Sequence, residues 1–203
     1  MPRPALLLLL GFVATAGPAA DLFNGRDLAG WTRRGGEAEN RVENGEIVGQ
    51  ARPGTPNAFL CTTRSFTNFI LELEFKPMTG LNSGIQIRSE VRSSPTNFVW
   101  KDRKVSIAAG RVHGYQVEID TDPTNQGNRQ WTAGLYDEGR RLWLFPGSLG
   151  GDKATFSEQG RRLTKVGGWN HVRIEAVGPR IRTWLNGELR ADVLDGVTRS
   201  GFI

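Results

Sequence analysis

The chain has 203 residues, enough for one domain with its own core and short for two. Its 26 glycines and short, interrupted apolar runs argue against a helical fold and suit an all-β sandwich or barrel. The net charge of +5 is scattered, carried by arginine with only five lysines, and forms no basic stripe with interleaved aromatics; this argues against nucleic acid as a partner.

Residues 1–20 read as a secretory signal: Arg3 supplies the positive region, residues 5–13 the apolar core, and Ala14-Thr15-Ala16 a small-x-small cleavage pattern, with cleavage expected near residues 16–20. The apolar run is too short to span a bilayer, and no later run is longer, so a secreted or periplasmic protein with no membrane partner is expected. Residues 21–203 then form a single β-sandwich domain. Cys61 is the only cysteine, so the core holds the fold without an internal disulfide.

Asn24-Gly25, Asn44-Gly45 and Asn186-Gly187 are tight-turn pairs, and the last two sit between short alternating strands. Residues 69–76 alternate clearly: Phe69, Leu71, Leu73 and Phe75 share one face, and Glu72 and Glu74 lie on a solvated one. Ile85 and Ile87 face the core, with Gln86 and Arg88 opposite. Residues 89–113 show little strand signal, so a lid or binding loop carrying Trp100 and His113 is expected there. His113 is either a proton-transfer group or a surface histidine.

In Gly114-Tyr115-Gln116-Val117-Glu118-Ile119-Asp120 the parity is strict, with Tyr115, Val117 and Ile119 on one side and Gln116, Glu118 and Asp120 on the other. That polar face is either one wall of a cleft or a solvated exterior. Loops are expected over residues 121–130 and 150–160. Trp169 to Val177 alternates again, and the final Gly201-Phe202-Ile203 looks like the start of a strand.

If the strands ending at Arg88 and Asp120 are neighbours, Arg88 reaches Glu118 or Asp120 and keeps one of them ionised, while the other holds its proton near neutral pH. Paired carboxyls with split pKa values suit acid–base work on sugars, and Tyr136 is a further polar group of the same face. The alternative is a structural Arg–Glu pair. There is no zinc cluster, phosphate loop or Gly-x-Ser-x-Gly turn. No metal or cofactor is required, although Asp120, Asp122 and Asn125 offer oxygens suited to calcium.

Several blocks together resemble the 3-keto-disaccharide hydrolase family. They are Leu-Phe-Asn-Gly-x-Asp-Leu-x-Gly-Trp at residues 22–31, Val-Glu-Asn-Gly-Glu-Ile-Val at 42–48, Asn82-Ser83-Gly84-Ile85 with Arg88, the stretch 114–120, Gly134-Leu135-Tyr136-Asp137-Glu138 with Arg140-Arg141, Lys165 with Gly168-Trp169-Asn170, and Trp184-Leu185-Asn186-Gly187. The resemblance implies a concanavalin A-like jelly roll of two antiparallel sheets, as in legume lectins and laminarinases, in an exported bacterial protein. Its concave sheet would present Asn82, Arg88, Gln116, Glu118 and Asp120. The family continues past Gly-Phe-Ile with a further strand, so the domain is expected to lack its C-terminal strand.

The implied activity is a glycoside hydrolase acting on 3-keto-disaccharides or 3-keto-glycosides by elimination and hydration. Glu118 would remove the C2 proton, Arg88 and Lys165 would stabilise the oxyanion, and Asp120 would orient hydroxyls or bind a metal. Trp100 or Trp131 would stack on the sugar, or else are core residues. The same scaffold would equally serve a non-catalytic, lectin-like carbohydrate-binding module. A laminin-G-like adhesion module is the third reading.

Overall fold

The computed structural model describes residues 19–122 and 129–203. The predicted signal lies, but for its last two residues, outside them. Among the described residues no helix is long and apolar enough to cross a membrane.

The elements, in chain order, are β1 (Trp31–Gly35), β2 (Glu39–Glu43), β3 (Glu46–Gln50), β4 (Ala58–Thr62), β5 (Phe69–Phe75), β6 (Asn82–Glu90), β7 (Thr96–Trp100), β8 (Arg103–Ile107) and β9 (His113–Asp120). They continue with β10 (Leu135–Glu138), β11 (Leu142–Phe145), α1 (Lys153–Leu163), β12 (Asn170–Val177), β13 (Arg180–Leu185) and β14 (Glu188–Leu194). Two four-stranded antiparallel sheets, ordered β11-β10-β9-β6 and β14-β13-β12-β5, form the sandwich; three two-stranded ribbons, β1-β4, β2-β3 and β7-β8, flank it.

Period-2 alternation builds the core. Ile87, Tyr115, Val117, Leu135 and Leu144 of the first sheet meet Val172, Ile174, Ile181, Leu185 and Val193 of the second. Each such side chain taken from water contributes about 1.5–3 kcal/mol. Phe69, Leu71, Leu73 and Phe75 pack against this cluster, while Glu72 and Glu74 face solvent, as their spacing predicts. Cys61 is buried. Its thiol is pushed up to about 11 by that burial, which makes it an inert core group.

The Asn-Gly turns fall where predicted. Asn44 and Gly45 have φ of 50° and 78°, and Asn186 and Gly187 have 50° and 87°, the two left-handed residues that a two-residue hairpin needs. Gly201 and Phe202 bridge to Phe66 and Ser89.

Two expected loops are elements. Residues 96–107 form the β7-β8 hairpin, with Phe98 paired to Val105 across it. Residues 153–163 form α1, whose N-cap Asp152 accepts a hydrogen bond from Thr155 N at 2.8 Å and whose buried stripe is Phe156, Gly160 and Leu163. Gly160 is forced: a Cβ there would stand 2.0 Å from Gln130 O.

Two of the sequence blocks close the sandwich. The buried Asp137 accepts from Arg140 Nε at 2.8 Å and is paired with Arg141, while Arg141 Nη1 reaches Asp195 at 2.6 Å. Tyr115 also donates to Asp195, at 2.5 Å. Asn170, fully buried, takes Lys165 N on its Oδ1 and gives its Nδ2 to Lys165 O and Gly168 O, tying the end of α1 to β12.

Candidate active site

The outer face of the first sheet carries the polar side chains of β6, β9 and β10. Asn82 pairs with Asp120, Gly84 with Glu118 and Gln86 with Gln116 across β6 and β9, and Tyr136 pairs with Gln116 from β10. The polar face read from alternation therefore holds Glu118 at its centre. Asn82 Nδ2 donates to Glu118 Oε1 at 2.9 Å, and Gln116 Nε2 donates to Oε2 at 2.8 Å. Gly84, directly opposite, has no side chain, and Gln116 lies over it: a Cβ on Gly84 would be 2.5 Å from Gln116 Cγ.

Glu118 is 3 % exposed, and burial pushes its carboxyl up to about 7. The hydrogen bond from Gln116 opposes the rise, the charge of Asp120 adds to it, and Arg129 and Asn82 oppose it again. Asp120 is fully buried; its Oδ1 accepts from Asp122 N at 3.2 Å, and its Oδ2 lies 3.4 Å from Arg129 Nε. The Tyr136 hydroxyl is raised from its ordinary range, by burial first and then by the neighbouring Glu138 and Glu118 charges.

Arg88 does not join this group. β6 carries a register shift between Ile87 and Glu90, and Arg88 has φ of 46°, so the alternation breaks at that residue. The side chain leaves the polar face. Its guanidinium donates to Thr67 O, Ala176 O and Gly178 O at 2.5–2.9 Å, and it is fully buried. Burial draws its pKa down, and its work is to satisfy backbone carbonyls at one end of the sandwich.

Arg129, from the segment that reads as a polar loop, is a cation beside the carboxylates. Its guanidinium lies 4.8 Å from the Trp131 ring and 5.0 Å from the Trp143 ring. Trp131 is buried, donates to Ser157 Oγ at 2.9 Å and meets Trp143 edge-on at 4.6 Å, so it is a core residue under the site. Trp143, paired with Tyr136 across β10 and β11 and edge-on to it at 5.1 Å, is the more exposed aromatic. The sequence reading missed it. The parity of residues 142–145, with Trp143 and Phe145 against Leu142 and Leu144, was the available signal.

Three further candidates lie elsewhere. Trp100 is on the β7-β8 hairpin, with Lys101 Nζ 4.8 Å and Arg141 5.9 Å from its ring. His113 is neither in the cluster nor at the surface: it is 4 % exposed, with Nδ1 3.1 Å from Arg111 O and Nε2 4.0 Å from Glu90. Lys165 is used through its backbone at the end of α1, and its side chain is exposed. None of the three is among the groups bonded to Glu118 or acting on its charge.

A hollow of about 300 Å³ opens beyond Asp120, lined by Thr121, Asp122, Arg129, Gln130, Arg161 and Val166 together with Thr79. Asn125, named with Asp120 and Asp122 as a calcium ligand, lies outside the described residues. Among the described residues no three His, Cys, Asp or Glu side chains are grouped to hold a metal.

Two antiparallel sheets packed face to face, one with a polar, carboxylate-bearing outer face, make this a jelly-roll β-sandwich. A candidate glycosyl hydrolase from Parabacteroides distasonis shares this fold at 19 % identity, covering 89 % of this chain and 83 % of its own, with a TM-score of 0.52. Carbohydrate-binding module CBM66 from Bacillus subtilis is similar at 15 % identity over 85 % of this chain and 84 % of its own, TM-score 0.44. No curated protein matches the chain. Residues 18–203 match the 3-keto-alpha-glucoside-1,2-lyase-like domain, and the chain belongs to that family.

Proposed function

We propose that the protein cleaves 3-keto-disaccharides or related 3-keto-glycosides by elimination followed by hydration, with Glu118 as the base. The observation that carries this reading is the setting of Glu118: buried and gripped on both oxygens by amides, with burial pushing its carboxyl up to about 7. A base with its pKa near working pH is partly ionised and still strong enough to take a carbon-bound proton. Family membership supports the substrate class.

The ketone at C3 acidifies the C2 proton. Glu118 takes that proton, and the C–H electron pair moves onto the C3 oxygen as an enolate. The enolate collapses to a C1–C2 double bond and expels the glycosidic oxygen, which receives the proton from Glu118. Water then adds across the double bond, its hydroxyl to C1 and its proton to C2, and the sum is hydrolysis. Arg129 is the cation available to the developing enolate charge, and Asp120 holds Arg129. Tyr136 and Trp143 offer the half-exposed aromatic surface a sugar ring needs. Asn82 keeps Glu118 in place. Export through residues 1–20 would put the enzyme where such glycosides are met.

The test is incubation with a 3-keto-disaccharide in heavy water. Release of monosaccharide with deuterium at C2 is expected, and Glu118→Gln should abolish both. Binding of the sugar without release would instead favour the lectin-like module. Undiminished release by Glu118→Gln would remove the assigned base.

A further inference from the structure

Glu118 stands at the end of a longer chain of hydrogen bonds. Ser89 Oγ donates to Gln86 Oε1 at 2.7 Å, Gln86 Nε2 to Gln116 Oε1 at 2.7 Å, and Gln116 Nε2 to Glu118 Oε2 at 2.8 Å. Every donor points toward the carboxylate. Ser89 and Gln86 are 1 % and 7 % exposed, so water does not compete along most of the chain.

An amide has a donor end and an acceptor end, so one reversal reverses every link. In the reversed sense Gln116 would present Oε1 to Glu118, which requires a protonated carboxyl. Gln86 would then donate to Ser89 Oγ, and the Ser89 hydroxyl would turn to Ile87 O at 3.3 Å or Tyr115 O at 3.5 Å. Those contacts are poorer than the 2.7 Å bond to Gln86. The far end of the chain therefore favours the sense that serves an ionised Glu118.

We infer that Gln86 and Ser89 are positioning residues for the base: together they fix the orientation of the Gln116 amide and so hold Glu118 as an acceptor. This rests on the reading of Glu118 as the base. The charged and titratable groups that face Glu118 are Asp120 from its own strand, Arg129 from the segment before β10, and Tyr136 from β10. Neither Gln86 nor Ser89 is ionisable, so replacing them alters no charge.

The test is the titration of Glu118, followed by ¹³C NMR of glutamate-labelled protein and assigned by its loss in Glu118→Gln. The pH dependence of kcat/KM on a 3-keto-disaccharide is measured beside it. Gln86→Met, close in shape and apolar, should raise the Glu118 midpoint by about half to one pH unit, a three- to tenfold shift of the ionisation constant. Ser89→Ala should move it the same way by less, and the acid limb of kcat/KM should follow. Unmoved or lowered midpoints in folded Gln86→Met or Ser89→Ala would overturn the inference, and Ser89→Ala carries the test alone where Gln86→Met does not fold. The NMR arm needs no turnover. A wild type that releases no sugar thus refutes the proposed activity, whereas unmoved midpoints in cleaving variants refute the positioning role.

Discussion

Gly84 and Gln116 are fitted to each other across β6 and β9: a Cβ on Gly84 would meet Gln116 Cγ, Cδ and Nε2 at 2.5, 2.7 and 2.8 Å. No hydrogen on the glycine is replaced because the amide of Gln116 must lie there to reach Glu118. Gly84→Ala should push Gln116 aside and cut the bond to the carboxylate. The loss of one bond to a charged acceptor, about 1.5–3 kcal/mol, raises the midpoint of Glu118 and lowers kcat/KM about tenfold or more at pH 6. The fold itself should lose about 1–3 kcal/mol through overpacking. Kinetics and thermal melting on one preparation check both, and an alanine enzyme with an unshifted pH profile would contradict the fit.

Glu118→Gln should separate activity from stability. A carboxyl whose native pKa of about 7 exceeds its ordinary 4.5 binds its proton more tightly folded than unfolded. Its contribution to stability is complete below about pH 4.5 and is lost as the pH rises through about 7. Above pH 7 the native state carries a buried charge that glutamine does not. The variant should therefore be about 1–3 kcal/mol more stable at pH 8, with little gain at pH 4, while losing at least two orders of magnitude in rate. Urea unfolding at the two pH values checks the sign.

The centre of this site was legible because strand alternation is a strict rule, and residues 114–120 obey it without interruption. The same rule misplaced Arg88. A left-handed φ on a non-glycine residue inside a bulge leaves no mark in the sequence, and one such residue turns a side chain to the other face. Arg129 was hidden differently. Its role comes from two tryptophans, one of them, Trp143, fourteen residues on in sequence, that form its bed only after β10 and β11 pair. The helix was masked by Gly150, Gly151 and Gly160, the last of which is a close-packing requirement and not a loop signal. In the β7-β8 hairpin, Val99 is 67 % exposed, which blurred the two-residue period.

Arg129 is paired with Asp120, and its charge also acts on Glu118. Arg129→Gln should leave two neighbouring carboxyls without that cation. Like charges then resist joint ionisation, so the Glu118 midpoint should rise by about one pH unit, with kcat falling about 10- to 100-fold if the same guanidinium meets the enolate. Raising the pH past 8 would restore the ionisation but not the lost charge. A rate fully recovered at high pH would limit Arg129 to tuning the base.

Arg88 makes the opposite prediction. Its guanidinium serves the carbonyls of Thr67, Ala176 and Gly178 and the side chain of Asn68, none of them among the groups bonded to Glu118. Lysine keeps the charge but cannot fork across three carbonyls, so Arg88→Lys leaves buried acceptors unpaired at about 1–3 kcal/mol each, for a total loss of about 2–5 kcal/mol. At a temperature where the variant is still folded, its kcat/KM and the acid limb of its pH profile should match wild type. A melting temperature near wild type together with a lost oxyanion-dependent rate would return Arg88 to the chemistry; a depressed melting temperature with intact kinetics fixes it as the brace between β6, β12 and the segment entering β5.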